Sequence, residues 1–435
     1  MDNNELKQAL SKFKDMTVLV LGDIMLDQYT FGEVARISPE APVPIVKKTG
    51  ERFVLGGAGN VANNLGALGV KVILAGVVGD DSRKDVIRSL CASTGIETRP
   101  IVIDSSRPTI LKHRIVAGSN HQLLRFDDED ARPLDIAIED AVLARVLPYV
   151  TTVNAIIFSD YTKGFFSKRM VDEILSAAKR CTIPVYADVK PKNKNLFVGV
   201  DLVTPNVKEA EEMSGASTIT EMGQWLVRHF KSEVLLTRGG DGMSAFDRDG
   251  REFHVPARRI SVFDVSGAGD TVVAVFALAK TAGLDLASAT MCANAAGAVV
   301  VQKPGTATLS LEELSSALRE TSHFEEAYTV PKIWGYEKWM ENNDKYCSKI
   351  LSLNKGYQCS LHYHKEKDET FLIKSGHVRL EMGDEVIHMR EGNFVRIPPG
   401  TKHRFTGIED SMILEISTHH DEADSYRLEE SKKVQ

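Results

Sequence analysis

From residue 17 to about residue 320 the chain alternates short β-branched runs with stretches of helical periodicity, and beyond that point the helical stretches stop. The first texture is carried by Thr17 to Gly22, Val70 to Val78, Ala155 to Ser159, Val185 to Asp188, Leu202 to Pro205 and Val234 to Thr237. Strands joined through helices pair in parallel, so this part is expected to form an α/β fold, a mostly parallel sheet with helices on both faces. The later runs, Lys349 to Leu353, Glu369 to Lys374, His377 to Met382, Asn393 to Ile397 and Met412 to Ser417, alternate with period two between Gly, Pro and Asp turns. They predict a small all-β barrel or sandwich. At 435 residues the chain exceeds one ordinary core. The expected division is a first domain over 1–320, a charged linker over 321–332, a second domain over 333–420 and a tail over 421–435.

A net charge of −7 argues against sequence-independent nucleic-acid binding. No apolar run reaches membrane-spanning length, and Met1 to Asp15 is charged rather than signal-like, so a cytoplasmic protein with small-molecule partners is expected. Cys91, Cys181, Cys292, Cys347 and Cys359 are scattered without CxxC spacing and read as reduced thiols.

In open α/β sheets ligands bind at the carboxyl ends of the strands. Asp160, Asp188, Asn206 and Arg238 fall there. The densest chemistry lies in Asp264-Val265-Ser266-Gly267-Ala268-Gly269-Asp270-Thr271. Gly267 and Gly269 admit an oxyanion close to the backbone, and the apolar run that follows predicts a helix whose first amides, Ala268 to Asp270, point at the same spot. Asp270 then stands where a hydroxyl proton can be taken. Alone, such a motif is also an ordinary Gly-rich helix start with a capping Asp. A second cluster, Gly56-Gly57-Ala58-Gly59-Asn60-Val61-Ala62-Asn63-Asn64, opens another helix and offers the amides of Asn60 and Asn64 to hydroxyls. Upstream, Asp23 and Asp27 are two carboxylates able to hold vicinal hydroxyls, and the proline-rich stretch from Arg36 to Pro44 reads as a flap or a surface hairpin.

Together these residues resemble the ribokinase-type (PfkB) carbohydrate kinases over roughly residues 13 to 320. GDIMLDQY, ARISPEAPVPIVK, SDYTKG and TPNVKEAE are similar to the heptose 7-phosphate kinases that form the first half of bifunctional bacterial heptose enzymes. One departure is Ala187-Asp188-Val189-Lys190-Pro191, where relatives tend to have I-D-P-K-G. The resemblance implies ribokinase-like architecture with a small β lid and ATP-dependent phosphorylation of an anomeric hydroxyl, with Mg²⁺ bridging nucleotide oxygens. It implies Asp270 as base, Asn206 and Glu209 near Mg²⁺ and phosphates, and Thr237, Arg238, Gly239, Gly242, Asp264 and Asn294 about the nucleotide. For the sugar it implies Asp23, Asp27, Gly56, Gly57 and Asn60. A distal phosphate needs cations, and Arg36, Lys112, Arg114, Arg125 and Lys163 are candidates; each is equally placed to be half of a salt bridge.

In the second domain, Gly356-x5-His362-Tyr363-His364-x4-Glu369-x6-Gly376 is followed by Gly392-x5-Pro398-Pro399-Gly400-x2-His403. His362 and His364 share one face of a strand, and three imidazoles with one carboxylate suit a divalent transition metal such as Mn, Fe, Zn or Ni. This two-part spacing resembles the cupin signature, departing at Gly407, where the family often has Asn. Trp334 to Glu337, the CSLHYH segment and the IPPGTKHR segment are similar to cupins of type II phosphomannose isomerases and lyxose isomerases. The resemblance implies a metal-dependent aldose/ketose isomerase and a self-associating protein, a homodimer. Two other readings stay open: a non-catalytic sugar-binding or dimerising cupin, and a kinase acting on another sugar or sugar phosphate.

Overall fold

The computed structural model describes residues 3–118, 121–258, 260, 262–321 and 327–434. It divides into two compact units, Met1–Arg319 and Glu320–Gln435.

The first unit is built on nine strands in the order Glu252–Val255, Met243–Phe246, Glu233–Thr237, Leu202–Val203, Val185–Asp188, Ala155–Ser159, Thr17–Gly22, Lys71–Val78 and Ile101–Ile103. All pairings are parallel from Glu233–Thr237 to Ile101–Ile103, and the first two strands close one edge antiparallel. The expected parallel sheet is therefore present. Its central strands are continuous apolar runs because helices cover both faces. Period two then sorts the side chains: Val18 and Val20 pack with helices Ala58–Ala67 and Ala268–Thr281, while Leu19 and Leu21 pack against Ile136–Val150 and Lys168–Arg180.

A second sheet of four strands, Pro44–Gly57, Ile24–Ile37, Ile110–Ala117 and His121–Asp128, grows out of the Thr17–Gly22 strand just past Asp23. The strand Ile24–Ile37 is buried over its first residues and exposed over its last five, as a lid standing over the sheet edge would be. Here is the β flap read from the prolines, with Ser38 to Val43 as its tip.

The second unit is all β. One sheet runs Tyr328–Lys332, Gly335–Asn342, Cys347–Leu353, Ser411–Ser417, Glu369–Ser375 and Phe394–Ile397. The other contains Glu385–Arg390, His377–Met382, His403–Gly407, Tyr357–Gln358 and Lys432–Lys433, with Leu361–His364 bridging His403–Gly407 and Ser425–Glu429. Its core is Leu351, Phe371, Ile373, Val378, Leu380, Phe405 and Ile413.

The assigned boundaries shift at both ends of this unit. Tyr328–Lys332, placed in the linker, is an edge strand paired with Gly335–Asn342, and helix Leu311–Thr321 runs to the linker's start; residues 322–326 lie outside the described residues. The tail carries two strands of the second sheet. Charged side chains hid both strands, because an edge strand exposes most of its surface and needs little apolar alternation. Gly407 also has a physical reason: a Cβ there would fall 2.6 Å from the carbonyl oxygen of Asn354.

Candidate active site and candidate metal centre

In the first unit the carboxyl ends of the strands and the starts of two helices meet at Asp270. This residue lies in the first turn of Ala268–Thr281 and is buried. Asn60, in the first turn of Ala58–Ala67, donates its amide to one carboxylate oxygen at 2.7 Å, and the Tyr161 hydroxyl donates to the other at 2.7 Å. Asn60 is itself held by Asn64, whose side-chain amide donates to its carbonyl at 2.9 Å while accepting from Thr271 at 2.8 Å. Burial pushes the Asp270 carboxyl above the ordinary carboxylate range, opposed by those two donors. The same burial, with Asp270 next in effect, holds the Tyr161 phenol protonated. A raised, oriented carboxylate is what a general base for a hydroxyl requires.

Gly267 precedes the helix at φ +76°, and a Cβ there would lie 2.6 Å from the Asn60 amide nitrogen. The Ala268 amide closes a turn onto Val265 at 3.2 Å, which takes it out of the expected anion hole. Gly269 has open space on its Cβ side, so the helix N-terminus is accessible where it and Asp270 begin the first turn. Beside it a cavity of about 250 Å³ is lined by Thr237, Gly239, Gly242, Asn294, Ala268 and Gly269, together with Val262, Val265 and Val301, to which the sequence reading gave no role. Asn294 donates to the Pro256 carbonyl at 2.9 Å and pins one wall. Arg238 turns instead to Ser244 and His254, both at 3.1 Å. Asp264 accepts the amides of Ser266 and Gly305 and so shapes the loop before the helix.

Other named residues take local tasks. Asn206 and Glu209 form a reciprocal capping box, each side chain accepting the other's backbone amide at 3.0 and 2.9 Å. Glu209 also pairs with Lys190 at 2.8 Å, and Lys190 with Asp188 at 3.2 Å. Burial pushes Asp188 up to about 7 against the pull of that lysine. Asp23 accepts the backbone amides of Tyr161 and Lys163 at 2.8 and 3.1 Å, tying the Thr17–Gly22 strand to the loop after Ala155–Ser159. Gly57, at φ +57°, lets the next helix start against Asp23, and Gly56 makes room for Asp27, whose carboxylate oxygen would be 2.4 Å from a Cβ.

Of the five candidate cations, Arg114 pairs with Asp27, Lys163 with Glu129 at 2.5 Å and Arg125 with Asp127 at 3.0 Å, while Arg36 is exposed on the outer half of the lid. Lys112 has no ion pair among the described residues and lies 5.5 Å from the centre of the Tyr161 ring. Burial lowers its pKa, Asp27 pulling the other way. Sequence reasoning missed Tyr161 and Lys190 as site residues; both stand just past carboxyl ends of strands, in SDYTKG and ADVKP.

In the second unit the ligand atoms of His362, His364 and His403 lie within 4.8 Å of one another. Each ring places Nδ1 3.0 Å from a main-chain carbonyl, of Ser360, Asp424 and Thr401 respectively. A nitrogen facing a carbonyl must carry the proton, so all three present Nε2 lone pairs to a common point. Glu369 joins them, one oxygen 3.2 Å from His403 Nε2 and the other 3.6 Å from His364 Nε2. Burial and the neighbouring His403 lower His362 to about 4. This neutral three-imidazole, one-carboxylate set fits a divalent transition metal. A cavity of about 450 Å³ opens over it, and Lys349, Lys367 and Glu415, which the sequence reading did not place at the site, line its wall. The signal was there in the alternation: Lys349 shares the inward face with Cys347, Leu351 and Leu353.

Residues 16–314 match the pfkB family carbohydrate kinase model, and residues 349–417 match the cupin domain model. The chain belongs to the pfkB carbohydrate kinase family. Among its relatives, the bifunctional protein HldE of Azorhizobium caulinodans is 40% identical over 311 residues, 70% of this chain and 65% of that protein. HldE of Caulobacter vibrioides is 42% identical over 317 residues, 70% of this chain and 64% of that protein. The chain thus spans just under two thirds of these relatives' length. Escherichia coli phosphofructokinase-2 in complex with fructose-6-phosphate covers 71% of this chain and 99% of its own at a TM-score of 0.57 and 19% identity. Arabidopsis thaliana ribokinase complexed with ribose and ATP covers 71% and 99% at 0.54 and 19% identity. These two share the fold of the first unit. No described helix is long and apolar enough to cross a membrane.

As a pfkB-family unit the site makes two predictions. Asp270→Asn keeps the shape and both neighbours but accepts no proton, so turnover falls by roughly 10² or more with little change in ATP affinity. Steady-state kinetics check this, and near-normal turnover removes Asp270 as the base. The second concerns pH. Burial, with Asp160 nearby, raises Asp23 from 3.8 to about 6. Between those values the native state holds a proton that the unfolded chain has lost, so stability falls as pH rises through the window, by on the order of 2–3 kcal/mol in all. Denaturant unfolding at pH 4 and pH 6.5 should show the wild type losing more stability than Asp23→Asn by about that amount, because Asp188 and the other raised carboxyls titrate in both proteins.

Proposed function

We propose that the first unit transfers the terminal phosphoryl group of ATP to the anomeric hydroxyl of D-glycero-β-D-manno-heptose 7-phosphate, forming the 1,7-bisphosphate. The observation that carries this reading is the Asn60–Asp270–Tyr161 arrangement at an open helix N-terminus. Asp270 takes the hydroxyl proton as the anomeric oxygen attacks the terminal phosphorus of ATP, whose bond to the bridging oxygen breaks so that ADP leaves with that electron pair. The Gly269 and Asp270 amides, with the dipole behind them, face the negative charge gathering on the transferring group. The adenine fits the apolar cavity beside Val262, Val265 and Val301. Mg²⁺, when bound, neutralises nucleotide oxygens; Asp188 and Glu209, gathered around Lys190, are the carboxylates placed to organise it. HldE relatives at about 40% identity support the heptose acceptor.

The second unit, in this reading, interconverts a ketose phosphate with the aldose phosphate that the kinase consumes. The order is fixed by chemistry. An anomeric oxygen carrying phosphate prevents the sugar ring from opening, so isomerisation precedes phosphorylation. His362, His364, His403 and Glu369 would hold the metal, which polarises the carbonyl and hydroxyl oxygens of the open-chain sugar. A panel of sugars and sugar phosphates with ATP tests the acceptor most directly.

Lys112 is the proposed partner of the distal phosphate. Lys112→Met should raise KM for the phosphorylated acceptor by about tenfold or more while leaving kcat nearly unchanged, because a charge-assisted contact made equally in ground and transition states is lost. Equal specific activity of the wild type on the free heptose contradicts the assignment. For the cupin, the double variant His362→Ala/His364→Ala should lose its metal by elemental analysis and lose isomerisation, since two ligands seldom hold a transition metal against water. Phosphoryl transfer should persist, as each unit has its own core. Loss of phosphoryl transfer, with no isomerisation of any C6 or C7 sugar phosphate by the wild type, would instead make the cupin a regulatory module.

A further inference from the structure

In the kinase unit one ammonium serves two carboxylates that come from different elements. Lys190 Nζ lies 2.8 Å from Glu209 Oε1 and 3.3 and 3.2 Å from the two oxygens of Asp188. Asp188 ends the strand Val185–Asp188, and Glu209 opens the helix Val207–Ser214, its second oxygen accepting the Asn206 amide at 2.9 Å. Among the described residues, Asp188's carboxylate takes hydrogen bonds from Lys190 alone. The trio carries one negative charge in excess while Asp188 is buried, an arrangement that stability alone does not favour.

Two carboxylates converging on one point also form the half-site that Mg²⁺ takes when substrate phosphates supply its other ligands. Lys190 and such an ion therefore compete for the same oxygens. The ammonium has a second place within reach. It stands 5.6 Å from the centre of the Tyr161 ring, whose hydroxyl donates to Asp270, so it is already on the side of the base. A flexible four-carbon stem lets it turn from the carboxylates toward the helix N-terminus that faces the transferring group. Charge favours that exchange. A triphosphate brings several negative charges beside Asp188, Glu209 and Asp270, and a metal on the carboxylates with Lys190 on the phosphate leaves none of them unpaired.

We propose that Lys190 is an exchangeable cation: it pairs Asp188 and Glu209 until the magnesium nucleotide arrives, then yields that place to the metal and takes a terminal phosphoryl oxygen of ATP. The inference rests on the reading of Asp188 and Glu209 as the carboxylates that organise Mg²⁺. Lys190 gives up no proton; it excludes a divalent ion that comes without nucleotide and faces the charge gathering on the transferring group. Full-length protein is titrated with Mn²⁺, with and without a non-hydrolysable ATP analogue, and the free ion is counted by its EPR signal. The histidine centre of the second unit contributes equally in every variant, so the difference between variants carries the test. Without nucleotide, Lys190→Met should bind one Mn²⁺ per chain more than the wild type. Lys190→Arg should match the wild type, and the double variant Asp188→Asn/Lys190→Met should lose the additional ion. Turnover of Lys190→Met should fall by roughly 10². No additional ion in Lys190→Met overturns the proposal, and so does one that survives in the double variant. A wild type that binds, without nucleotide, an ion that Asp188→Asn removes overturns it as well, whether or not Lys190→Met folds. With the analogue present, manganese affinity that Asp188→Asn leaves unchanged contradicts the carboxylate reading itself, and the two failures are thereby told apart.

Discussion

A carboxylate removed from water must be held by donors or lose its charge, and the kinase unit is arranged around one such group. Asp270 is buried at a helix start, and its two oxygens take hydrogen bonds from Asn60 and Tyr161, which belong to other parts of the chain. Those donors arrive only if the Thr17–Gly22 and Ala155–Ser159 strands pair in register and if Gly57 lets the second helix begin against Asp23. The parallel sheet is thus the frame that sets two helix N-termini side by side. The lid grows from the same strand, one residue beyond Asp23.

The cupin unit applies the same constraint to several groups at once. Its three imidazoles are fixed by main-chain carbonyls, so their tautomers are set by backbone geometry. Lys367 and Glu415 are each bracketed by opposite charges. Removing one member leaves its neighbours buried and unpaired, so such a chain tolerates little variation.

The elements that were legible in the sequence are those whose pattern is set by burial alone. The parallel strands read as apolar runs because they are covered on both faces, and the metal histidines read from spacing because a strand returns to one face every second residue. Tyr328–Lys332 and the strands of the tail did not read, since edge strands are mostly solvated. The kinase motif located Asp270 and Asn60. Tyr161 was invisible as a partner because nothing local links it to a carboxylate 109 residues away. Asn206 and Glu209 show the converse: S/T/D/N followed by Glu three residues later is also the pattern of a helix cap, and here the side chains do form that cap. The five candidate cations were equivalent in sequence, and the ion pairs of Arg114, Lys163 and Arg125 and the exposure of Arg36 set Lys112 apart from the others.

The strand bearing His362 and His364 is flanked by Ser425–Glu429, and the acceptor that orients His364 is the Asp424 carbonyl. Synthesis delivers these parts in a fixed temporal order. The kinase core can emerge and fold while the cupin is still being made, and His362, His364, Glu369 and His403 are all synthesised before the Asp424 whose carbonyl orients one of them. The histidine cluster therefore reaches its final geometry late in the biogenesis of the chain, after the surroundings of Asp270 have been synthesised.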